Sequence, residues 1–169
     1  MLTSKDILVV MKLASGDDDS WTQAQLAHEL KLAPSQVSYS LSRLEGARLY
    51  NKALRRVSRP AVEEFLVHGV KYAFPAQRGS GTRGLPTAYA APPLCDLIRQ
   101  PDEPPPVWPT VNGTIRGYAF EPLDDHVPDA ALRDRKLYEM LALVDALRDG
   151  RARESTLAAA ELKMRLGVS

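Results

Sequence analysis

The sequence predicts a mainly helical α+β protein that begins with a helix-turn-helix. Apolar residues recur at helical spacing after capping residues over the first 50 positions, and leucines recur at the same spacing after residue 128. A middle region rich in glycine and proline alternates apolar and polar residues in strand fashion. A chain of 169 residues buries one modest core, or a small domain with an extension. We therefore predict segments at 1–98, 99–127 and 128–169.

The first helices are predicted from their caps. An amphipathic helix over residues 4–14 should end at Gly16 and the acidic residues 17–19. Thr22, followed three residues later by Gln25, predicts a capping box at the start of a second helix. Pro34 ends that helix and fits the first turn of a third. Two short helices joined by a tight turn form a helix-turn-helix.

The residues that carry this motif resemble those of the MarR-type winged helix-turn-helix regulators. The matching positions are Leu26-Ala27, Leu30, Val37-Ser38, Leu41 and Leu44-Glu45. The resemblance covers about residues 4–50 and departs from the family pattern where EGARL, residues 45–49, replaces Glu-x-x-Gly-Leu. It implies a winged-helix domain that binds double-stranded DNA and regulates transcription.

The outward face of the third helix carries hydrogen-bonding groups that fit base edges or phosphates. On this face we expect Gln36 to pair with adenine, and Arg43 with guanine or a phosphate. Residues 31–60 hold seven Lys or Arg against one acid, whereas residues 91–169 hold ten against thirteen acids. The alternatives are a solvated helix face and a protein-docking module. The predicted DNA-binding residues are Thr22, Gln23, Ser35, Gln36, Ser38, Tyr39, Ser42, Arg43, Lys52, Arg55, Arg56, Arg78 and Arg83.

A GxGxxG pattern at residues 79–84 raises the question of a nucleotide-binding loop. Such a loop must open a helix, which Pro86 and Pro92-Pro93 exclude. We expect instead the tip of a β-hairpin wing between extended segments at 70–74 and 85–91, with Arg78 and Arg83 on the DNA. A flexible surface loop is the alternative. A fourth helix, capped by Ser58 and ending near residue 69, would precede this wing.

The remaining chain is predicted as a polyproline-like spacer at 101–109, a hairpin at Asn112-Gly113, and a helix pair at 128–150 and 153–166. The apolar stripes of the pair should pack on the N-terminal domain, on a second copy or on a partner. A homodimer would suit two DNA half-sites. The predicted dimer or partner residues are Leu137, Met140, Leu141, Val144, Leu147 and Leu157.

Composition narrows the function further. No apolar run approaches the roughly 18 residues of a membrane span, and the single cysteine, Cys95, suits the cytoplasm. No metal-ligand spacing, cofactor motif or catalytic set emerges, so we expect no enzyme. The expected function is that of a sequence-specific DNA-binding transcriptional repressor that acts as a homodimer. The alternative is a protein-interaction module, such as an antitoxin that binds a toxin-like partner and represses its own operon.

Overall fold

The chain folds into a mixed α+β structure, described for residues 1–16 and 20–169 of a computed structural model. The predicted helix break at residues 17–19 lies outside this range. The elements of the first half are α1 (Ser4–Ser15), α2 (Gln23–Leu30), α3 (Pro34–Gly46), β1 (Tyr50–Asn51), β2 (Arg56–Val57), α4 (Arg59–His68) and α5 (Val70–Ala73). The second half contains β3 (Arg78–Pro86), β4 (Pro106–Pro109), β5 (Ile115–Phe120), α6 (Val127–Arg133), α7 (Arg135–Asp149) and α8 (Ala152–Leu166).

The predicted N-terminal helices are confirmed. In the capping box of α2, the Gln25 backbone N–H donates to Thr22 Oγ1 (3.1 Å) and the Thr22 N–H donates to Gln25 Oε1 (3.0 Å). Pro34 lies in the first turn of α3. In α1, all residues from Ile7 to Met11 are buried, so this helix has no solvent-facing side over that length. It is the central helix of the fold.

A β-hairpin follows α3 directly. Strands β1 and β2 pair antiparallel, with Tyr50 opposite Val57 and Asn51 opposite Arg56. At the end of α3 the backbone turns at Arg48, whose φ of 65° is left-handed, and Leu49 N–H donates to Leu44 O (2.9 Å). This left-handed conformation favours glycine, because a residue with a Cβ atom is strained in it. The departure from the family pattern therefore changes the residue at the turn and leaves the helix end in place.

The predicted hairpin tip at residues 79–84 is wrong, because these residues lie within one strand, β3. It pairs antiparallel with both β4 and β5, and β4 pairs parallel with β5, which closes a small barrel. A Cβ atom on Gly84 would lie 2.1 Å from the carbonyl oxygen of Trp108. Gly84 therefore allows β4 to approach β3 closely. The extended segment predicted at 70–74 is also wrong, since α5 occupies it.

The barrel replaces the predicted spacer and second hairpin. Residues 106–109 form β4, with Trp108 fully buried opposite Leu85. The chain does turn at residues 110–113, where Gly113 N–H donates to Thr110 O (3.0 Å). The flanking strands do not pair antiparallel with each other, because β3 is the antiparallel partner of both.

The C-terminal helices pack on the N-terminal helices, where α7 and α8 contact α1 and α4. Three alternatives were predicted for their apolar stripes, and the structure shows the first of them, packing on the N-terminal part of the same chain. The predicted dimer residues Leu137, Met140, Leu141, Val144 and Leu147 are buried there, and Leu157 is partly buried. Asp134 splits the predicted helix into α6 and α7 by accepting a hydrogen bond from Leu137 N–H (3.1 Å). Apolar residues of all three predicted segments join one core cluster.

A buried polar network joins α7 to the barrel. Both Trp108 Nε1 and Thr87 Oγ1 donate to Asp145 Oδ2 at 2.7 Å. The Arg148 guanidinium donates to Asp145 Oδ1 (2.7 Å) and to the carbonyl oxygens of Phe74 and Glu121. Buried polar groups stabilise a fold only when they are paired, and these donors and acceptors meet that condition.

Candidate nucleic-acid interface

Helix α3 presents a polar stripe on its exposed side. Ser35, Ser38, Tyr39 and Ser42 are exposed, and their spacing of i, i+3, i+4 and i+7 places them on one face. Tyr39 is 65% exposed. The opposite face of α3 is held in the core by Val37, Leu41 and Leu44. The stripe is therefore fixed on a rigid helix and open to a partner.

The β1–β2 hairpin continues this stripe with positive charge. Lys52 Nζ donates to Ser42 Oγ (3.4 Å), so the hairpin lies beside the C-terminal part of α3. The turn between its strands is shaped by Asn51, whose Oδ1 accepts a hydrogen bond from Leu54 N–H (2.9 Å). Arg56 is exposed on β2. Serine and tyrosine hydroxyls thus meet basic side chains on one surface.

Arg55 ties the hairpin to the start of α2. Its guanidinium donates to the Trp21 carbonyl oxygen (2.5 Å) and lies 4.7 Å from the centre of the Trp21 ring. Thr22 and Gln23 follow and are exposed, although the Thr22 hydroxyl is used as a helix cap. The predicted residues of α2, α3 and the hairpin therefore come together through described contacts.

Two predicted base-reading residues are engaged inside the chain. The Arg43 guanidinium donates through two nitrogens to Asp6, at 2.8 Å and 2.9 Å, and Ser40 Oγ donates to the same carboxylate at 2.7 Å. Burial of Asp6 favours its neutral form, but these hydrogen bonds and that from the Thr3 N–H hold its pKa below the ordinary value. Gln36 Oε1 accepts from the backbone N–H of Ala33, the N-cap residue of α3 (2.9 Å).

Arg43 is therefore an anchor between α3 and α1, and the expectation that it points outward is wrong. The physical reason is the buried Asp6 carboxylate, which needs a cation. A sequence cannot easily reveal this pairing, because the two residues lie 37 positions apart.

Arg78 and Arg83 do not join the α3 surface through any hydrogen bond, ion pair or ring contact within residues 1–16 and 20–169. Arg78 instead pairs with Asp149 (2.6 Å) and lies 5.1 Å from the centre of the Tyr118 ring. The hydrogen bond that Arg78 donates to the Asp149 carboxylate raises the pKa of the Arg78 guanidinium. Arg83 is exposed on β3. Their predicted contact with DNA depended on a hairpin at residues 79–84, which the structure does not contain.

Arg48 is a basic residue of this region that the sequence-based prediction missed. It is exposed at the junction between α3 and the hairpin and adopts the left-handed conformation described above. Arg55 adopts a left-handed φ of 55° in the hairpin turn. The signal was available: Arg48 stands where the family pattern has glycine, so a charged residue occupies a strained position.

Among the described residues, no group of three or more His, Cys, Asp or Glu side chains is placed to hold a metal ion. The same residues include no helix with the length and apolar character that spanning a membrane requires. Comparisons of the chain with protein-family models, curated proteins and solved structures return no match.

Proposed function

We propose that the chain is a winged helix-turn-helix protein that binds double-stranded DNA and regulates transcription. The observation that carries the proposal is the continuity of the exposed α3 stripe with the basic β1–β2 hairpin through the contact of Ser42 with Lys52. In this arrangement α3 is the recognition helix and the hairpin is the wing. The B-DNA major groove, about 12 Å wide, accommodates an α-helix.

The side chains of the stripe suit this role. Ser35, Ser38 and Ser42 are short donors and acceptors that allow the helix backbone to approach base edges or phosphates. Tyr39 extends further and adds an aromatic ring with a hydroxyl group. Because the buried face fixes the rotation of α3, these groups are presented without a cost of ordering the helix on binding.

The cations of the region supply the phosphate contacts. Arg48, Lys52 and Arg55 are exposed around the junction of α3 with the hairpin. Arg48 and Arg55 occupy left-handed backbone positions that favour glycine, so each places a positive charge where a side chain is strained. Contacts of this kind carry no base information, so they set affinity and salt dependence.

A regulator that acts as a homodimer, as expected for a repressor of this type, needs an interface outside the buried stripes of α7. The residues of that stripe are already covered by the chain itself. Such an interface must place two α3 helices on half-sites one DNA turn, or a multiple of it, apart.

The proposal is tested by selecting duplexes from a random DNA pool with the full chain, then titrating the enriched duplex against variants. Tyr39→Ala with Ser38→Ala should weaken binding about 10-fold or more, since a lost base contact costs about 1–3 kcal/mol. Tyr72→Ala is the matched control, because Tyr72 is 76% exposed on α5, away from the α3 stripe. Equal losses in the two variants, or no enriched duplex, would contradict the proposal.

The wing is tested by salt dependence. Arg48→Gly with Lys52→Ala should reduce the slope of log K against log salt by up to about 1.8, since each phosphate contact contributes about 0.9. Glycine at position 48 also relieves the backbone strain, so the variant should remain folded. Lys163→Ala on α8 removes one exposed charge elsewhere and should leave the slope unchanged. A slope unaffected by the double change would exclude the hairpin as a wing.

A further inference from the structure

Two arginines face each other on the barrel without neutralisation. Arg83 on β3 and Arg116 on β5 are directly opposite in the antiparallel ladder, where like charges destabilise a sheet. Both side chains are exposed, and neither guanidinium has a hydrogen-bond, ion-pair or ring partner in the described part of the chain. Nearby, Arg78 pairs with Asp149, and Arg151 pairs with Glu103. Arg83 and Arg116 therefore differ from these two neighbouring arginines, whose charges are paired.

An apolar residue is held beside this pair. The Thr110 N–H donates to the Arg83 carbonyl oxygen (3.4 Å), which fixes the turn at residues 110–113 to β3. A Cβ atom on Gly113 would lie 2.3 Å from Gly84 Cα, so the backbone of this turn packs directly against the strand. Val111 in the same turn is 99% exposed. The turn thus presents Val111 at a set position relative to Arg83.

Ile115 does not belong to the same surface. It precedes Arg116 and lies opposite Gly84 in the ladder, so it points to the other face of β5 although it is 41% exposed. We define the barrel patch as Arg83, Val111 and Arg116. Arginine beside an exposed apolar group is typical of protein interfaces, where arginine is frequent among the residues that dominate affinity. A surface for phosphates would have no use for the exposed valine.

We propose that the barrel patch binds a separate protein through a segment that places acidic side chains next to an apolar residue. A guanidinium binds a carboxylate through two parallel hydrogen bonds, and two carboxylates would neutralise the facing arginines. Binding would also remove their mutual repulsion. The patch lies on the strands and the 110–113 turn, so the proposal is independent of DNA binding by α3.

The test uses displayed random short peptides, selected on the full chain and counter-selected on Arg83→Ala with Arg116→Ala. Selected peptides should be enriched in Asp or Glu beside an apolar residue. A synthetic peptide of the enriched sequence should bind the double variant at least about 30-fold more weakly than the original chain. Arg99→Ala with Arg153→Ala is the control, because both arginines are exposed and the loss of charge is the same. Peptide affinity should survive in this control and in the Tyr39 variant.

Several outcomes would overturn the proposal. These are peptides without acidic enrichment, equal affinity for the arginine variant and its control, and failure of the folded chain to enrich any peptide. Two further measurements identify a different occupant. Loss of duplex-DNA affinity only in the Arg83 and Arg116 variant would assign the patch to nucleic acid. Loss of self-association in sedimentation would assign it to a second copy of this chain. Circular dichroism confirms that each variant is folded.

Discussion

Asp6 in the N-terminal half and Asp145 in the C-terminal half are both buried carboxylates bound to an arginine. Their surroundings differ. The Arg43 side chain that pairs with Asp6 is 31% exposed, whereas the Arg148 side chain that pairs with Asp145 is 4% exposed. The pKa of Asp6 is held below its ordinary value, while burial raises the pKa of Asp145 against the opposing effect of Arg148 and the hydrogen bonds.

The difference shows two ways to fix an element by a buried charge. Around Asp6 the cation remains partly in water, so α3 is anchored to α1 at a modest cost of desolvation. Around Asp145 both partners leave water, and the hydrogen bonds of Trp108 and Thr87 must complete the network. The first arrangement orients the candidate recognition helix, and the second joins the barrel to α7. Variants of each should therefore differ in severity.

The largest effect is expected from Arg148→Ala, which leaves the Asp145 carboxylate buried without its cation. We expect a loss of about 3–5 kcal/mol in the free energy of unfolding. Urea denaturation measures it, with Arg153→Ala as an exposed control expected within about 0.5 kcal/mol. A loss as small as that of the control would mean that the network does not depend on the pair.

A smaller loss is expected from Arg43→Ala, about 2 kcal/mol, because Ser40 and the Thr3 N–H still bond Asp6 and water can reach the site. The same denaturation measures it. A loss larger than that of Arg148→Ala would reverse the comparison. In DNA titrations, Arg43→Ala should lose affinity only to the extent that α3 is displaced, because the Arg43 guanidinium is bound to Asp6.

The third prediction concerns acid. Asp6 has a lower pKa in the folded state than the roughly 3.9 of the unfolded chain, so its stabilisation is present above that value and is lost as the pH falls through the folded pKa. Asp6→Asn should therefore make stability fall less steeply between about pH 5 and pH 2. Asp145 has a raised pKa and the opposite sign, so Asp145→Asn should steepen the fall. Equal slopes in both variants would remove the proposed difference between the two sites.

The smallest effect is expected at the barrel patch. Arg116→Thr removes the repulsion with Arg83 and should raise the free energy of unfolding at low salt by about 0.2–1 kcal/mol. The gain should shrink as salt screens the charges. A variant that is less stable than the original chain would show that Arg116 supports the fold itself.

Contacts between residues close together in the sequence could be predicted, whereas contacts between distant residues could not. The cap of α2 connects Thr22 to Gln25, three residues apart, and the sequence predicted it correctly. The bond of Gln36 to Ala33 N–H at the start of α3 is as short in range, but it was not predicted. The exposed stripe of α3 was predicted by the same local periodicity. Arg43 and Asp6 lie 37 positions apart, and a long connection joins strands β3 and β4 of the barrel. No local sequence pattern specifies either contact.

The hairpins show why local signals were misleading. The glycines at 79–84 favour a turn, yet they lie within β3, where Gly84 allows close approach of the Trp108 backbone. The turn signal at Asn112-Gly113 does mark a turn, but its flanking strands pair parallel with each other. The β1–β2 hairpin has no glycine between its strands, and Arg55 takes a left-handed position there. The sequence therefore predicted no hairpin directly after the third helix.

The burial of α1 on all sides has a consequence for biosynthesis. This helix is translated before the other described elements, but α7 and α8, which cover part of its surface, are translated after them. Domains that fold during synthesis normally complete their cores as they leave the ribosome. Here the part of α1 that α7 and α8 cover must wait for residues beyond 135, so the nascent chain exposes this apolar surface for most of its translation. Chaperones that bind short apolar segments on the ribosome should therefore engage this chain early and release it only after α8 has emerged.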